Sequence, residues 1–220
     1  MIFSDRDHAG QVLAGKLSKY AHRPDVLVLA IPRGGVPVAR EVARALGAPL
    51  DVFVVRKLAV PGHDELSIGA IATGGVRWLN DAIVGQLGLD AESVAAATAT
   101  EQAELQRLEQ CYRGARAAAP VRNRTVILVD DGFDTGASMR AAIAGLRPRR
   151  PRHIVAAAPA GAAEVCASLR ADADEVVCAV SPAAFRSAGE CYASFDTVTE
   201  SDVRAMVGDG WTQPLPATAA

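Results

Sequence analysis

VILVDDGFDTGASM, residues 126–139, is the stretch that decides the fold. Four apolar residues run straight into two adjacent carboxylates, Asp130 and Asp131, and then into a short loop of glycine, aspartate and threonine ahead of a helix-like segment. A continuous apolar run suits a strand covered on both faces. Two like charges at the end of such a strand ask for an explanation beyond packing. Gly132 and Gly136 let the backbone turn tightly, the amides of residues 134–138 open a helix, and Thr135 and Ser138 add hydroxyl donors. Together these make a phosphate cradle. The Lys-Ser/Thr pair of a Walker loop is missing, and neither GxGxxG nor GxSxG occurs. An isolated Asp-Asp-Gly also closes a strand in a plain turn; it is the strand, the paired acids and the Gly-Thr helix start together that favour a cradle.

Outward from this stretch, strands alternate with helices. VLVLAI (26–31), DVFVV (51–55), HIVAAAP (153–159) and DEVVCAV (174–180) read as further buried strands. Residues 5–20 place Ala9, Val12, Leu13, Leu17 and Tyr20 on one helical face, with Ser4 as N-cap. VPVAREVARALG reads as a helix ending at Gly47, residues 91–116 as a long Ala-rich helix, and further helices start near Gly136 and Gly161. RKLAVPGHDELSIGAIATGG, rich in glycine and charge, reads as a mobile loop leading into a short strand pair around 67–72 and 76–79. The alternation predicts an α/β fold with a mainly parallel sheet between helices. In such sheets ligands bind beyond the carboxyl ends of the strands, so the loops PRGG, RK and DDGFDTGAS are expected to converge on one crevice.

Composition narrows the function. The 220 residues are half hydrophobic, yet no apolar run reaches the roughly 18–20 residues of a membrane span and the N-terminus is charged; a cytoplasmic protein is the expectation. A formal charge of −2 gives no global pull toward nucleic acid or membranes. Cys111, Cys166, Cys178 and Cys191 form no CxxC pair and are read as reduced, with Cys166 and Cys178 in the core. One domain over 1–208, with a hood at 181–197 plus the N-terminal segment and a loose tail over 209–220, is expected.

VILVDDGFDTGASM resembles the phosphoribosyl-pyrophosphate signature of type I phosphoribosyltransferases. AIPRGG is similar to that family's first pyrophosphate loop, and VVRKLAVPGHDE to its flexible catalytic loop, in the same order along the chain. FSDRDHAG and SPAAFRSAGECYASFDTVTESDV look like a bacterial subgroup of it. The resemblance implies the type I phosphoribosyltransferase fold and Mg²⁺-dependent transfer of a phosphoribosyl group from phosphoribosyl pyrophosphate to a nitrogenous base. It implies that Asp130 and Asp131 meet the ribose hydroxyls or lie near Mg²⁺, that Asp134, Thr135, Gly136, Ala137 and Ser138 hold the 5-phosphate, and that Arg33, Gly34, Gly35 and Lys57 meet the pyrophosphate with Arg56 in support. A cis Arg33–Gly34 peptide, a lid at 62–65 and a catalytic set of Asp134, Lys57 and Asp131 belong to the same implication. Asp134 tilts the acceptor toward an oxopurine, in which it acts as base, but a carboxylate at a helix start is also an ordinary cap.

Phe185 or Tyr192 is a candidate to stack on a planar base, or else to pack the hood onto the core. RPRRPR (147–152) is read as a solvated connector against an RNA-binding alternative. The rival functions are a nucleotide- or phosphoribosyl-pyrophosphate-sensing regulator without turnover and a phosphoribosyl-metabolite hydrolase. A homodimer is also expected.

Overall fold

The structure, a computed structural model, describes residues 2–60 and 63–210. Among the described residues eight strands run in chain order as β1 (Val26–Ala30), β2 (Leu50–Val52), β3 (Val55–Val60), β4 (His63–Ala72), β5 (Val76–Leu79), β6 (Thr125–Val129), β7 (His153–Ala160) and β8 (Glu175–Val180). The helices are α1 (Arg6–Lys16), α2 (Gly35–Leu46), α3 (Asp81–Gln86), α4 (Ala91–Arg113), α5 (Ala137–Leu146), α6 (Ala163–Leu169) and α7 (Glu200–Gly210). The central sheet is parallel in the order β2-β1-β6-β7-β8, and β3-β4-β5 form a separate antiparallel sheet.

Apolar residues in unbroken runs make the central strands two-sided. Val26, Val28 and Ala30 of β1 pack into one core with residues of α1, α2 and α7, while Leu27 and Leu29 pack into another with residues of α5 and α6. Alternate residues of β6 divide in the same way. The period of two along a strand thus builds both helical layers. After β2 the chain returns to the other side of β1 to form β6, so the strand order reverses between β1 and β6. A crevice opens beyond the carboxyl ends of strands at such a reversal.

Several boundaries differ from expectation. Asp5, not Ser4, caps α1 by accepting the His8 amide at 2.8 Å. The strand expected over 51–55 stops at Val52, and Val55 opens β3. RKLAV is not a mobile loop but most of β3: Leu58 and Val60 are buried in a cluster with Leu105 and Leu108 of α4, and the strand pairs with β4. Pro61, Gly62 and the tail beyond residue 210 lie outside the described residues, as do the side chains of 63–65 in the expected lid. The four cysteines are free; Cys166 and Cys191 are buried and Cys178 half-buried. Burial, with Cys166 beside it, pushes the Cys178 thiol up to about 12. In the basic connector Arg147 pairs with Asp174 at 3.0 Å, Arg149 donates to the Thr73 carbonyl and Arg152 lies 3.5 Å from Asp25. Those three arginines fasten the chain to itself. No helix among the described residues is long and apolar enough to cross a membrane.

Candidate active site

Parallel pairing of Ala30 with Val129 sets the loop after β1 beside the loop after β6. Between them lies a cavity of about 410 Å³ whose lining includes Gly34, Lys57, Asp130, Asp131, Asp134 and the start of α5. The loop over 130–138 reaches α5 through Gly136, whose φ of 73° is the left-handed conformation that glycine adopts without penalty. Arg140, one turn into α5, donates to the Thr135 carbonyl at 3.1 Å and to Ser168 Oγ at 2.6 Å, tying the loop to α6. The Thr135 hydroxyl accepts the Ala137 amide at 3.3 Å. Amides and hydroxyls are thus gathered at a helix start, where an oxyanion finds donors and a favourable dipole.

The acid pair is asymmetric. Arg6 of α1 donates from Nε and Nη2 to Asp131 Oδ2 at 3.0 and 2.8 Å. Asp130 Oδ1 accepts the Asp131 amide at 2.9 Å, and burial together with the negative charge of Asp131 holds the Asp130 carboxyl well above the usual carboxylate range. The guanidinium serves Asp131 alone, and Asp130 is left buried beside it. Among the described residues no group of three or more His, Cys, Asp or Glu side chains could hold a metal by itself. That donor set fits Mg²⁺ only in its usual form, held by one or two carboxylates and by the oxygens of a bound phosphate.

Residues 7–192 match the family described as "Phosphoribosyl transferase domain". The chain belongs to the phosphoribosyl transferase family. It is 43% identical over 206 residues to Mycobacterium tuberculosis proteins named "Putative phosphoribosyl transferase" in two strains, covering 94% of this chain and 46% of theirs, so it spans about half their length. The crystal structure of TT1426 from Thermus thermophilus superposes with a TM-score of 0.85 at 39% identity, covering 96% of this chain and all of that one.

Within this member of the family most of the expected residues fall into two groups. Gly34, Lys57, Asp130, Asp131, Asp134, Thr135, Gly136, Ala137 and Ser138 line the main cavity. Arg33 and Arg56 line a neighbouring cavity of about 370 Å³ with Tyr112 and Glu200. Strand alternation explains the division of the RK pair: Lys57 faces the acids, whereas Arg56, on the other face of β3, meets Glu101 of α4 at 2.7 Å. Gly35 is buried, and its amide is engaged by the Ile31 carbonyl at 3.2 Å. The cis peptide of this loop joins Pro32 to Arg33, one residue before the expected position. Asp134 does not cap α5, whose N-cap is Gly136 with no side-chain bond. Instead its Oδ1 accepts the Ala188 amide at 2.7 Å, joining the loop to the segment after β8.

In that segment the aromatic residues take the packing alternative, and the sequence reading missed only their partner Arg6 of α1. Tyr192 is buried, with its ring between Phe3 and Phe195, and its hydroxyl donates to the Asp131 carbonyl at 2.6 Å. It is therefore fixed in the packing and is not a platform for a base. Phe185 packs with Phe3 and Cys191. Arg6 lies 3.7 Å from the Phe195 ring centroid and donates from Nη1 to the Asp196 carbonyl at 2.7 Å.

Gly34 is needed for a close approach. A Cβ there would lie 1.9 Å from Asp131 Oδ2. Because Arg6 holds that oxygen, Gly34→Ala is expected to cost about 1–3 kcal/mol of stability, as overpacking usually does. Chemical denaturation measures this; a wild-type midpoint would mean that Asp131 moves aside freely.

Proposed function

We propose that this chain catalyses Mg²⁺-dependent transfer of a phosphoribosyl group from phosphoribosyl pyrophosphate to a nitrogenous base. The observation that carries the reading is a single cavity in which a helix-start loop, a pair of acids and Lys57 face one another at the reversal point of the sheet. The 5-phosphate would rest on residues 134–138 and the ribose over Asp130 and Asp131, with the pyrophosphate toward Gly34 and Lys57. In the transfer the C1–O bond to pyrophosphate breaks with its electrons on oxygen, the acceptor nitrogen forms the C1–N bond, and the ring N–H proton passes to a base. Carboxylates beneath C1 stabilise the oxocarbenium-like state, and Lys57 opposes the charge that grows on the leaving group. Mg²⁺, when bound, neutralises the pyrophosphate further. Asp134 reaches the same cavity and is the candidate proton acceptor, which favours an oxopurine.

The test is a screen of nucleobases with the donor and Mg²⁺, reading pyrophosphate release. Release that depends on a base supports transfer. Release without any base points to a hydrolase, and donor binding without release points to a sensing regulator.

A further inference from the structure

We propose that Arg6 is a positioning residue for the donor's ribose, locking Asp131 in the orientation that leaves Oδ1 for a sugar hydroxyl; this rests on the phosphoribosyl-transfer reading of the same cavity. Arg6 is the first residue of α1, held at the capped start of that helix. Its side chain is 11% exposed and that of Asp131 18%. Two of its nitrogens converge on Oδ2, the third donates to the Asp196 carbonyl, and the guanidinium lies on Phe195. Arginine's fork is planar and rigid, so these contacts define a direction as well as a charge.

On its other side Asp131 Oδ2 abuts the loop after β1: a Cβ at Gly34 would lie 1.9 Å from Oδ2 but 3.2 Å from Oδ1. The Asp131 main chain is fixed as well, its amide on Asp130 Oδ1 and its carbonyl under the Tyr192 hydroxyl. Beyond Arg6 and the neighbouring Asp130 carboxyl, no side chain among the described residues hydrogen-bonds the Asp131 carboxylate, and Asp131 lines both the main cavity and the adjoining one beside Phe195. One oxygen is clamped and the other is left to accept. A carboxylate ordered before the ligand arrives loses less freedom on binding, and it accepts from a hydroxyl in a defined direction. Arg6 also touches the chain at 195 and 196, so the same residue links that segment to Asp131.

The experiment measures, by calorimetry, binding of inorganic phosphate, ribose 5-phosphate and its 2-deoxy and 3-deoxy counterparts to the full chain. Wild type is expected to prefer ribose 5-phosphate over at least one deoxy sugar by about tenfold or more, the scale of a hydrogen bond to a charged acceptor. Arg6→Gln should lose most of that preference while binding inorganic phosphate as wild type does, since the hydrogen bonds of Arg6 go to Asp131 and Asp196 and not to the cradle at 134–138. A merely structural role would weaken all four ligands together. Arg6→Lys keeps the charge without the fork, so a several-fold part of the preference should be lost there too; that variant carries the test should Arg6→Gln not fold. The wild-type ratio retained in the variant that folds, or no preference in wild type, overturns the role of Arg6 and leaves the phosphate cradle standing. Failure of wild type to bind any of the sugar phosphates overturns the phosphoribosyl reading and this inference with it.

Discussion

Lys57→Ala is expected to lower turnover by about 2–4 kcal/mol of transition-state energy, roughly 30- to 1,000-fold, the range for losing an electrostatic donor. Donor affinity should fall by much less. Lys57 belongs to β3, where pairing with Ala70 and the burial of Leu58 fix the strand's face and so the direction of its even and odd side chains. Lys57 lines the cavity of the acid pair, while its neighbour Arg56 meets Glu101 of α4. In the ground state the pyrophosphate's charge is shared over many oxygens, but as the C1–O bond breaks, negative charge accumulates on the departing oxygen. An interaction that strengthens in that step raises turnover and not binding alone. Measuring kcat beside a direct donor Kd separates the two: equal losses would indicate uniform binding, and an unchanged rate would remove Lys57 from the chemistry.

The central fold was legible because β1, β6 and β7 are built on short apolar runs, which suit strands covered on both faces. The phosphate loop was legible for a different reason, since glycine and hydroxyl residues beside paired acids leave few local alternatives. In the three-stranded sheet β4 and β5 were legible as a strand pair, and β3 was hidden. In RKLAV the inward Leu58 and Val60 are preceded by two charged residues and separated by a half-buried alanine, and the following Pro-Gly reads as a loop. α7 did carry a signal: Thr199 and Asp202 form a reciprocal capping box, with Asp202 Oδ2 accepting the Thr199 amide at 2.9 Å and Thr199 Oγ1 the Asp202 amide at 3.2 Å. The role of Arg6 could not be found by local reading. Its partner lies 125 residues away, and an arginine at the start of a helix has no local reason to be there, since the helix dipole favours acids at that end. A side chain misplaced by local rules was the clue, and only the fold supplied the partner.

Asp134→Asn is expected to reduce turnover with hypoxanthine, guanine or xanthine by roughly 10²- to 10⁴-fold, the usual contribution of a positioned general base. The substitution is informative because of what it keeps. Oδ1 of Asp134 accepts the Ala188 amide, and an asparagine carbonyl oxygen can accept the same bond, so the junction between the phosphate loop and the segment after β8 survives. What disappears is the charge and the capacity of the second oxygen, Oδ2, to take a proton. Among the described residues Oδ2 has no hydrogen-bond partner, and Asp134 lines the main cavity. Asp134→Ala removes both functions, and should add a stability loss of about 0.5–1.5 kcal/mol for the missing bond. Were Asp134 an anchor only, Asn would turn over near normally and Ala alone would suffer, chiefly in stability. The two variants therefore split one residue's roles by measurement: turnover follows the charge, and the denaturation midpoint follows the bond to Ala188. Wild-type activity confined to pyrimidines would remove the base role toward oxopurines while leaving the anchor intact, because the anchor depends on Ala188 and not on the acceptor.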